Sequence, residues 1–277
     1  WSAMKISSHV ADASSTALVD PDRILPVYGD LGTSPHVPSG QLLGASLMEL
    51  EQNQLTIRVP RALEYARLNG INRIVQRTAD DRIGIVAAGK TYLDVRESLR
   101  RLGLDDAELS RRGIRILKLG MVYPLERTVL DEFMSGLEEV IVVEEKRDFI
   151  ETMIREIHFR RPDVANVVGK SHEDGSTLFS RFGELDVDAV TRGLAQRLGR
   201  VHGIPSALAW LEGPARPRTR ITLPLATTRT PYFCSGCPHN SSTKVADGTL
   251  VGGGIGCHAM VLMMDEKQVG TITGVTQ

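Results

Sequence analysis

The chain has 277 residues, of which 42% are hydrophobic and 24% charged, with a formal net charge of −1. That length builds one large domain or two small ones around a core that needs no covalent staples. The near-neutral balance gives no electrostatic pull toward nucleic acid or an anionic membrane. No apolar run approaches the roughly 20 residues that span a bilayer. Trp1-Ser2-Ala3-Met4 leads into small polar residues, without the basic head and apolar stretch of a signal peptide. Three cysteines, an odd number, speak against a disulfide framework and for a reducing, cytoplasmic setting.

Residues 1–20, rich in Ala and Ser, read as a short helix or tail. Residues 21–45, with Pro21, Pro26, Pro35 and Pro38, read as an extended linker. Between 46 and 70 apolar residues recur at helical spacing (Leu47, Leu50, Leu55, Leu63, Ala66). Pro60 is expected to break or kink that run and Asn69-Gly70 to stop it. From residue 83 the pattern changes. Short apolar runs predict strands at 83–88, 114–119, 140–143 and 164–168, and helical periods predict helices at 93–102, 125–133 and 149–159. Asp186 is placed to cap a last helix running to about Leu198. Continuous apolar strands alternating with amphipathic helices predict an α/β fold: a mostly parallel, doubly wound sheet covered on both faces, with right-handed crossovers. Residues 201–232 contain Pro205, Pro214, Pro217, Pro224 and Pro231 and read as a second linker, its basic run at 216–220 solvated. All three cysteines fall in the unit after it, 233–277.

Gly84-Ile-Val-Ala-Ala-Gly89-Lys90-Thr91 meets the spacing of a phosphate-binding P-loop, and Val140-Ile-Val-Val-Glu144 imitates the acidic strand that accompanies one. A P-loop needs its apolar strand before the first glycine, because the loop itself wraps the phosphates with backbone N–H groups. Here a turn sequence, Thr78-Ala-Asp-Asp-Arg82, precedes Gly84, and the best strand candidates, Ile85 to Ala88, fall inside the supposed loop. The expected structure is a strand, a tight Gly89 turn and a helix from near Thr91. A P-loop nucleotide hydrolase stands as an alternative function. The turn also keeps the option of holding an anion at a helix N-terminus.

Phe233-Cys234-Ser-Gly-Cys237-Pro-His239-Asn240 contains a C-x2-C pair, which on a turn faces two thiolates toward one centre. Gly236 removes a side chain where the backbone bends. Cys257 follows in Gly252-Gly-Gly-Ile-Gly-Cys257-His258, whose glycines let the backbone approach a cofactor closely before an apolar helix at 259–264. From spacing, three readings stay open. A [4Fe–4S] cluster usually takes four cysteines, and three are present. A zinc site would use the cysteines with His239 or His258, making a zinc-bearing interaction module. In the third reading the cysteines are simply small and unligated.

Taken in order, these motifs resemble the large single-chain indolepyruvate:ferredoxin oxidoreductases, a thiamine-diphosphate-dependent 2-oxoacid:ferredoxin oxidoreductase family. Phe233 to Asn240 and Gly254-Ile-Gly-Cys-His258 resemble the family's signature before its diphosphate-binding region. Gly89-Lys-Thr-Tyr-Leu-Asp-Val-Arg96 resembles the first βα turn of its transketolase-C-terminal-like domain. Val142-Val-Glu-Glu-Lys146, Val168-Gly-Lys170 and Gly183-Glu-Leu-Asp186 follow in the family's order. The resemblance implies the end of a pyrimidine-binding domain and a linker at 1–45. A transketolase-C-terminal-like α/β domain follows at 46–200, then a linker at 201–232. The start of a thiamine-diphosphate-binding domain at 233–277 completes the chain.

It further implies oxidative decarboxylation of aryl 2-oxoacids to acyl-CoA, with electrons passed to ferredoxin. The cofactors of the intact enzyme would be thiamine diphosphate, Mg²⁺ and a [4Fe–4S] cluster. By the same resemblance Cys234, Cys237 and Cys257 would ligate the cluster, and Gly254, Gly256 and His258 would lie near the cofactor. Implied partners are the 2-oxoacid, coenzyme A, ferredoxin and further copies in a homo-oligomer, with no nucleic acid or membrane. No catalytic residue is assigned. The sequence departs from the family pattern in having no Gly-Asp-Gly motif for Mg²⁺-diphosphate. It starts at Trp1 and stops in the β-rich run 269–277, so an internal segment, inactive alone, is expected.

Overall fold

Strands buried on both faces organise the N-terminal of two compact units, which comprise Trp1–Pro214 and Ala215–Gln277. The computed structural model describes residues 6, 11, 13, 14, 16–29, 43–159, 165–213, 231–246, 249, 251–254, 256–264 and 272–276. The first unit's strands are β1 (Arg73–Gln76), β2 (Ile83–Ala88), β3 (Ile114–Leu119), β4 (Glu139–Val143) and β5 (Asn166–Val168). They form one sheet in the order β1-β3-β2-β4-β5. β2 pairs in parallel with both β3 and β4, and β4 with β5, whereas β1 runs antiparallel along β3. The mostly parallel α/β sheet expected from the sequence is therefore present. β1 was not expected: its four residues alternate between exposed and half-buried, too short a signal beside the long apolar runs.

The helices are α1 (Ala45–Asn53), α2 (Val59–Leu68), α3 (Gly89–Arg101), α4 (Asp106–Arg111), α5 (Arg127–Met134), α6 (Phe149–His158), α7 (Val187–Ala195) and α8 (Pro205–Glu212). Successive residues of a strand point to opposite faces, so β2 and β4 each feed two cores. Ile83, Ile85, Ala87, Ile141 and Val143 pack with Val95 and Leu99 of α3 and Val190 and Leu194 of α7. Val86, Val140 and Val142 pack with Leu130 and Phe133 of α5 and Ile150 and Ile154 of α6. This is the doubly wound arrangement. Asp186 caps α7 as expected, accepting from Ala189 N at 2.8 Å. Among the described residues no helix is long and apolar enough to cross a membrane.

Three local expectations are corrected. Pro60 does not break the helical run. A π-helical turn (Gln54–Arg58) joins α1 to α2 and leaves Pro60 in the first turn of α2. The linker expected over 201–232 begins instead with α8. Pro205 occupies the first turn of that helix, and Ile204 and Ala207 are buried. Gly199 lets α8 approach, since a Cβ there would lie 2.8 Å from Leu208 N. Prolines that read as breakers are here helix starters. The P-loop alternative is excluded, because Gly84 to Ala88 are paired residues of β2. A Cβ on Gly84 would lie 2.6 Å from both Leu137 Cδ1 and Phe133 Cζ, so this glycine serves packing and not a phosphate. The helix or tail read over 1–20 lies largely outside the described residues, as does Arg216–Arg220.

Charge is buried at the amino end of β4. Glu139 accepts from Arg197 Nε at 2.7 Å and from His202 Nε2 at 2.9 Å, and Arg197 also reaches Glu173. Burial alone would raise the Glu139 carboxyl, but the Arg197 and His202 bonds outweigh it and hold it below the ordinary carboxylate range. The Arg197 bond holds Glu173 at about 2. These depressed values add stability above the unfolded carboxylate range, near ~4.3, that is lost as pH falls through the lower folded values.

Two outcomes follow for urea unfolding followed by far-UV circular dichroism. Gly84→Ala should destabilise the domain by about 1–3 kcal/mol through overpacking, and an unchanged midpoint would contradict the packing assigned to this glycine. Arg197→Ala should cost about 3–5 kcal/mol at neutral pH, because it strands the Glu139 carboxylate in the core. A loss under 1 kcal/mol would mean the network is dispensable.

Candidate functional site

β2 lies between β3 and β4, so the chain leaves β2 on one side and returns on the other. The carboxyl ends of β2 and β4 thus flank a switch in winding direction, the place where open α/β sheets form a crevice. Stretches far apart in sequence meet there. β2 leads into Gly89-Lys90, β4 into Glu144-Glu145-Lys146 and β5 into Gly169-Lys170. The loop at 181–185 touches the first two sets of residues: Lys146 Nζ donates to Gly183 O at 2.5 Å, Leu185 N donates to Glu145 Oε1 at 3.2 Å, and Lys90 Nζ lies 3.6 Å from Glu184. Arg181 adds an ion pair to Asp148 at 3.0 Å.

The centre of this edge is a buried lysine. Lys170, 2% exposed, donates to Glu144 O. Its backbone N–H donates to Glu151 Oε2 at 2.9 Å. Glu144 in turn caps α6, accepting from Ile150 N at 2.8 Å and Glu151 N at 3.0 Å. Burial pushes the Glu144 carboxyl up and the Lys170 ammonium down; for both it outweighs the opposing pull of their neighbours. Gly169 is required beside them, because a Cβ would meet Glu151 Oε2 at 2.3 Å. Lys146 holds a left-handed backbone, φ 59°, that a side chain disfavours, at a cost on the order of 1 kcal/mol.

The option of an anion at the Gly89 turn gains nothing from Lys90, whose ammonium bonds Asp94 at 2.9 Å. Burial would lower that lysine, but the Asp94 and Glu184 carboxylates outweigh it and raise it. Along this edge Glu144, Glu145, Lys146 and Lys170 bond backbone groups of neighbouring segments, an arrangement suited to holding loops in place. The sequence motifs quoted Glu144 and Lys170 but assigned them no role. The legible signal was an acid directly after a buried strand.

The second unit pairs β6 (Val251–Gly254) with β7 (Ile272–Thr276) in parallel. A four-residue helix, α9 (His239–Ser242), and a 3₁₀ helix (Cys257–Met263) complete its regular elements among the described residues. The latter stands where an apolar helix at 259–264 was expected. Phe233 and Val261 form a small core with Cys237, Met260 and Met264. The C-x2-C turn forms as its spacing suggested: Cys237 N donates to Cys234 O at 3.0 Å, and Gly236 has φ 75°. Cys237 Sγ lies 3.2 Å from His239 Nδ1. The His239 ring stacks on Phe233 at 5.1 Å and lies 5.7 Å from the His258 ring.

Two of the expected cofactor-side residues are joined directly: Gly254 N donates to His258 Nδ1 at 3.0 Å, which leaves the ring hydrogen on Nε2 of a neutral His258. Gly256 makes the turn between them with φ 101°. The expected metal ligands are not gathered. Cys234 and Cys257 are exposed and Cys237 half-buried. Among the described residues no group of three or more His, Cys, Asp and Glu could hold a metal ion. The Cys237 thiol contacts His239. Three cysteines are one short of the usual cluster set, and no Gly-Asp-Gly exists for Mg²⁺-diphosphate. Among the described residues these side chains are not gathered into a metal site.

The model of the indolepyruvate oxidoreductase domain matches residues 73–208, from the first residue of β1 into α8. Over residues 73–208 this chain matches the indolepyruvate oxidoreductase family. Indolepyruvate oxidoreductase subunit IorA of Methanothermobacter marburgensis is 28% identical over 190 residues, 69% of this chain and 26% of that protein. IorA of Archaeoglobus fulgidus is 29% identical over 190 residues, 67% of this chain and 25% of its own. IorA of Pyrococcus horikoshii is 25% identical over 202 residues, covering 71% and 28%. The chain therefore spans about a quarter of the length of the curated relatives it matches. Among solved structures, an inactive β4 tetramer of a split-gene transketolase overlaps 45% of this chain and 41% of its own, with a TM-score of 0.33 at 19% identity. A 2-oxoglutarate:ferredoxin oxidoreductase from Magnetococcus marinus, with 2-oxoglutarate, coenzyme A and succinyl-CoA bound, overlaps 46% and 20%, with a TM-score of 0.31 at 16% identity.

The family match covers the whole five-stranded sheet and both ends of its charge network. Glu144→Ala should remove the α6 cap and one neighbour of Lys170, costing at least the 0.5–2 kcal/mol of a lost N-cap. Faster amide hydrogen exchange at Ile150 and Glu151 would register it. Unchanged exchange there would show that Glu144 does not hold α6.

Proposed function

We propose that this chain is part of an enzyme that oxidatively decarboxylates 2-oxoacids. We take the substrate to be an aryl 2-oxoacid such as indolepyruvate, the product an acyl-CoA and the electron acceptor ferredoxin. The observation that carries this reading is the family match over 73–208, coextensive with the sheet and its carboxyl-edge network. Within such an enzyme the α/β domain at 46–200 serves as the transketolase-C-terminal-like middle domain. Its work is to hold loops and packing surfaces in register, which accords with a carboxyl edge whose loops are tied together by side-chain-to-backbone bonds. Residues 1–45 then close a pyrimidine-binding domain. The stretch at 201–232 connects, and 233–277 opens the thiamine-diphosphate-binding domain. Thiamine diphosphate, Mg²⁺ and a [4Fe–4S] cluster belong to the intact cytoplasmic, homo-oligomeric enzyme in this reading. The segment alone is inactive.

Cys234, Cys237 and Cys257 contribute to the cluster only if the unit rearranges, swinging Cys237 off His239 and bringing in a ligand from outside the sequence given. Gly254, Gly256 and His258 keep the place near the cofactor, on a turn already closed by the Gly254–His258 bond. A zinc-bearing module is the second reading, for which Cys237 Sγ beside His239 Nδ1 supplies two of the ligands it would need.

The full-length protein carrying this sequence, purified without oxygen, should reduce a viologen dye with indolepyruvate when coenzyme A, thiamine diphosphate and Mg²⁺ are supplied. It should contain iron and sulfide, and residues 1–277 alone should show neither activity nor cluster. Stoichiometric zinc without iron in both proteins, lost in Cys237→Ser, would replace this reading with the zinc module.

A further inference from the structure

The segment that leads into α5 and the second half of α6 together form an open cavity of about 860 Å³. That volume is of the size that takes small molecules. Its walls are apolar: Leu125 is buried, and Met153 and Ile157 are half-buried. Two aromatic side chains at the same cavity, Tyr123 and Phe159, are 66% and 84% exposed. Aromatic surface left uncovered around an apolar concavity marks a binding site.

Three charged side chains also line the cavity, and they are not equally committed. Arg155 Nη2 donates to Glu151 Oε1 at 2.8 Å and to Val167 O. Arg127 has one ion pair among the described residues, 3.8 Å from Asp131 Oδ2, which is longer than a hydrogen bond. Glu156 is exposed and has no hydrogen bond or ion pair among the described residues. The cavity therefore presents one guanidinium with donors to spare and one carboxylate with lone pairs to spare.

We propose that this cavity binds a free α-amino acid with an aromatic side chain. The Arg127 guanidinium takes the α-carboxylate, a pairing its planar fork suits. The Glu156 carboxylate takes the α-ammonium. The ring goes to the apolar wall, with Tyr123 and Phe159 beside it. A plain aryl acid would bring a second carboxylate to Glu156, and a plain aryl amine a second cation to Arg127. A zwitterion answers both charges. The cavity lies within the first compact unit and shares no residue with the cysteine turn, so binding there does not depend on loading a cofactor.

The test titrates the whole chain, carrying ¹³C-labelled Met and Ile methyl groups, with L-phenylalanine at neutral pH. The methyl signals of Met153 and Ile157 should shift and saturate. Phenylacetate and phenethylamine each lack one charged contact and should bind about tenfold more weakly. Arg127→Ala should weaken phenylalanine by a similar factor and leave phenethylamine no weaker. Glu156→Gln should weaken phenylalanine and leave phenylacetate no weaker. Both residues are exposed, so far-UV circular dichroism should be kept in both variants. No saturable shift at Met153 and Ile157 would overturn the proposal. So would phenylacetate binding as tightly as phenylalanine, or phenylalanine binding unchanged in either variant.

Discussion

The fold rests on the burial of β2 and β4 on both faces. Each presents apolar side chains in both directions, and a strand of that kind is stable only when helices cover the sheet on either side. Winding the chain to supply them places β3 on one side of β2 and β4 on the other. The crevice at the carboxyl ends is a consequence of that winding. So is the close packing of Phe133 and Leu137 over Gly84, where no side chain would fit.

The two ends of the sheet handle charge differently. At the amino end, Arg197, Glu139, Glu173 and His202 neutralise one another, and the carboxylates are held ionised. At the carboxyl end, burial works against both Glu144 and Lys170, whose side chains are held in place by backbone groups. The first arrangement is a stabilising clamp. The second fixes the start of α6 and the loops beside it, and it tolerates a strained Lys146.

Among the described residues the cysteine unit is organised by apolar and ring contacts. Phe233 lies under the His239 ring, and that ring sits beside both Cys237 and His258. The glycine turn is closed by the imidazole of His258. Cluster ligation would have to compete with the Cys237–His239 contact, which gives the cysteines a defined starting geometry.

Much of the α/β domain was legible in the sequence. The runs at 83–88, 114–119 and 140–143 are apolar without interruption, and Asp186 announces its helix with an acceptor for the Ala189 N–H. These are local signals that no tertiary contact needs to complete. The rejection of the P-loop was equally local, since a strand cannot wrap a phosphate. β1, the uninterrupted passage through Pro60 and the helix starting at Pro205 were decided by context: a neighbouring strand, a widened turn, and a glycine that allows close approach. The candidate sites divide the same way. From the sequence, resemblance singled out Cys234, Cys237 and Cys257 as expected cluster ligands and Gly254, Gly256 and His258 as expected cofactor-side residues. Only the tertiary structure decided that Cys237 faces His239, that Lys170 is buried over Glu144 and that Arg127 and Glu156 line one cavity. Each of these pairs depends on how separate segments pack, and no periodicity records that.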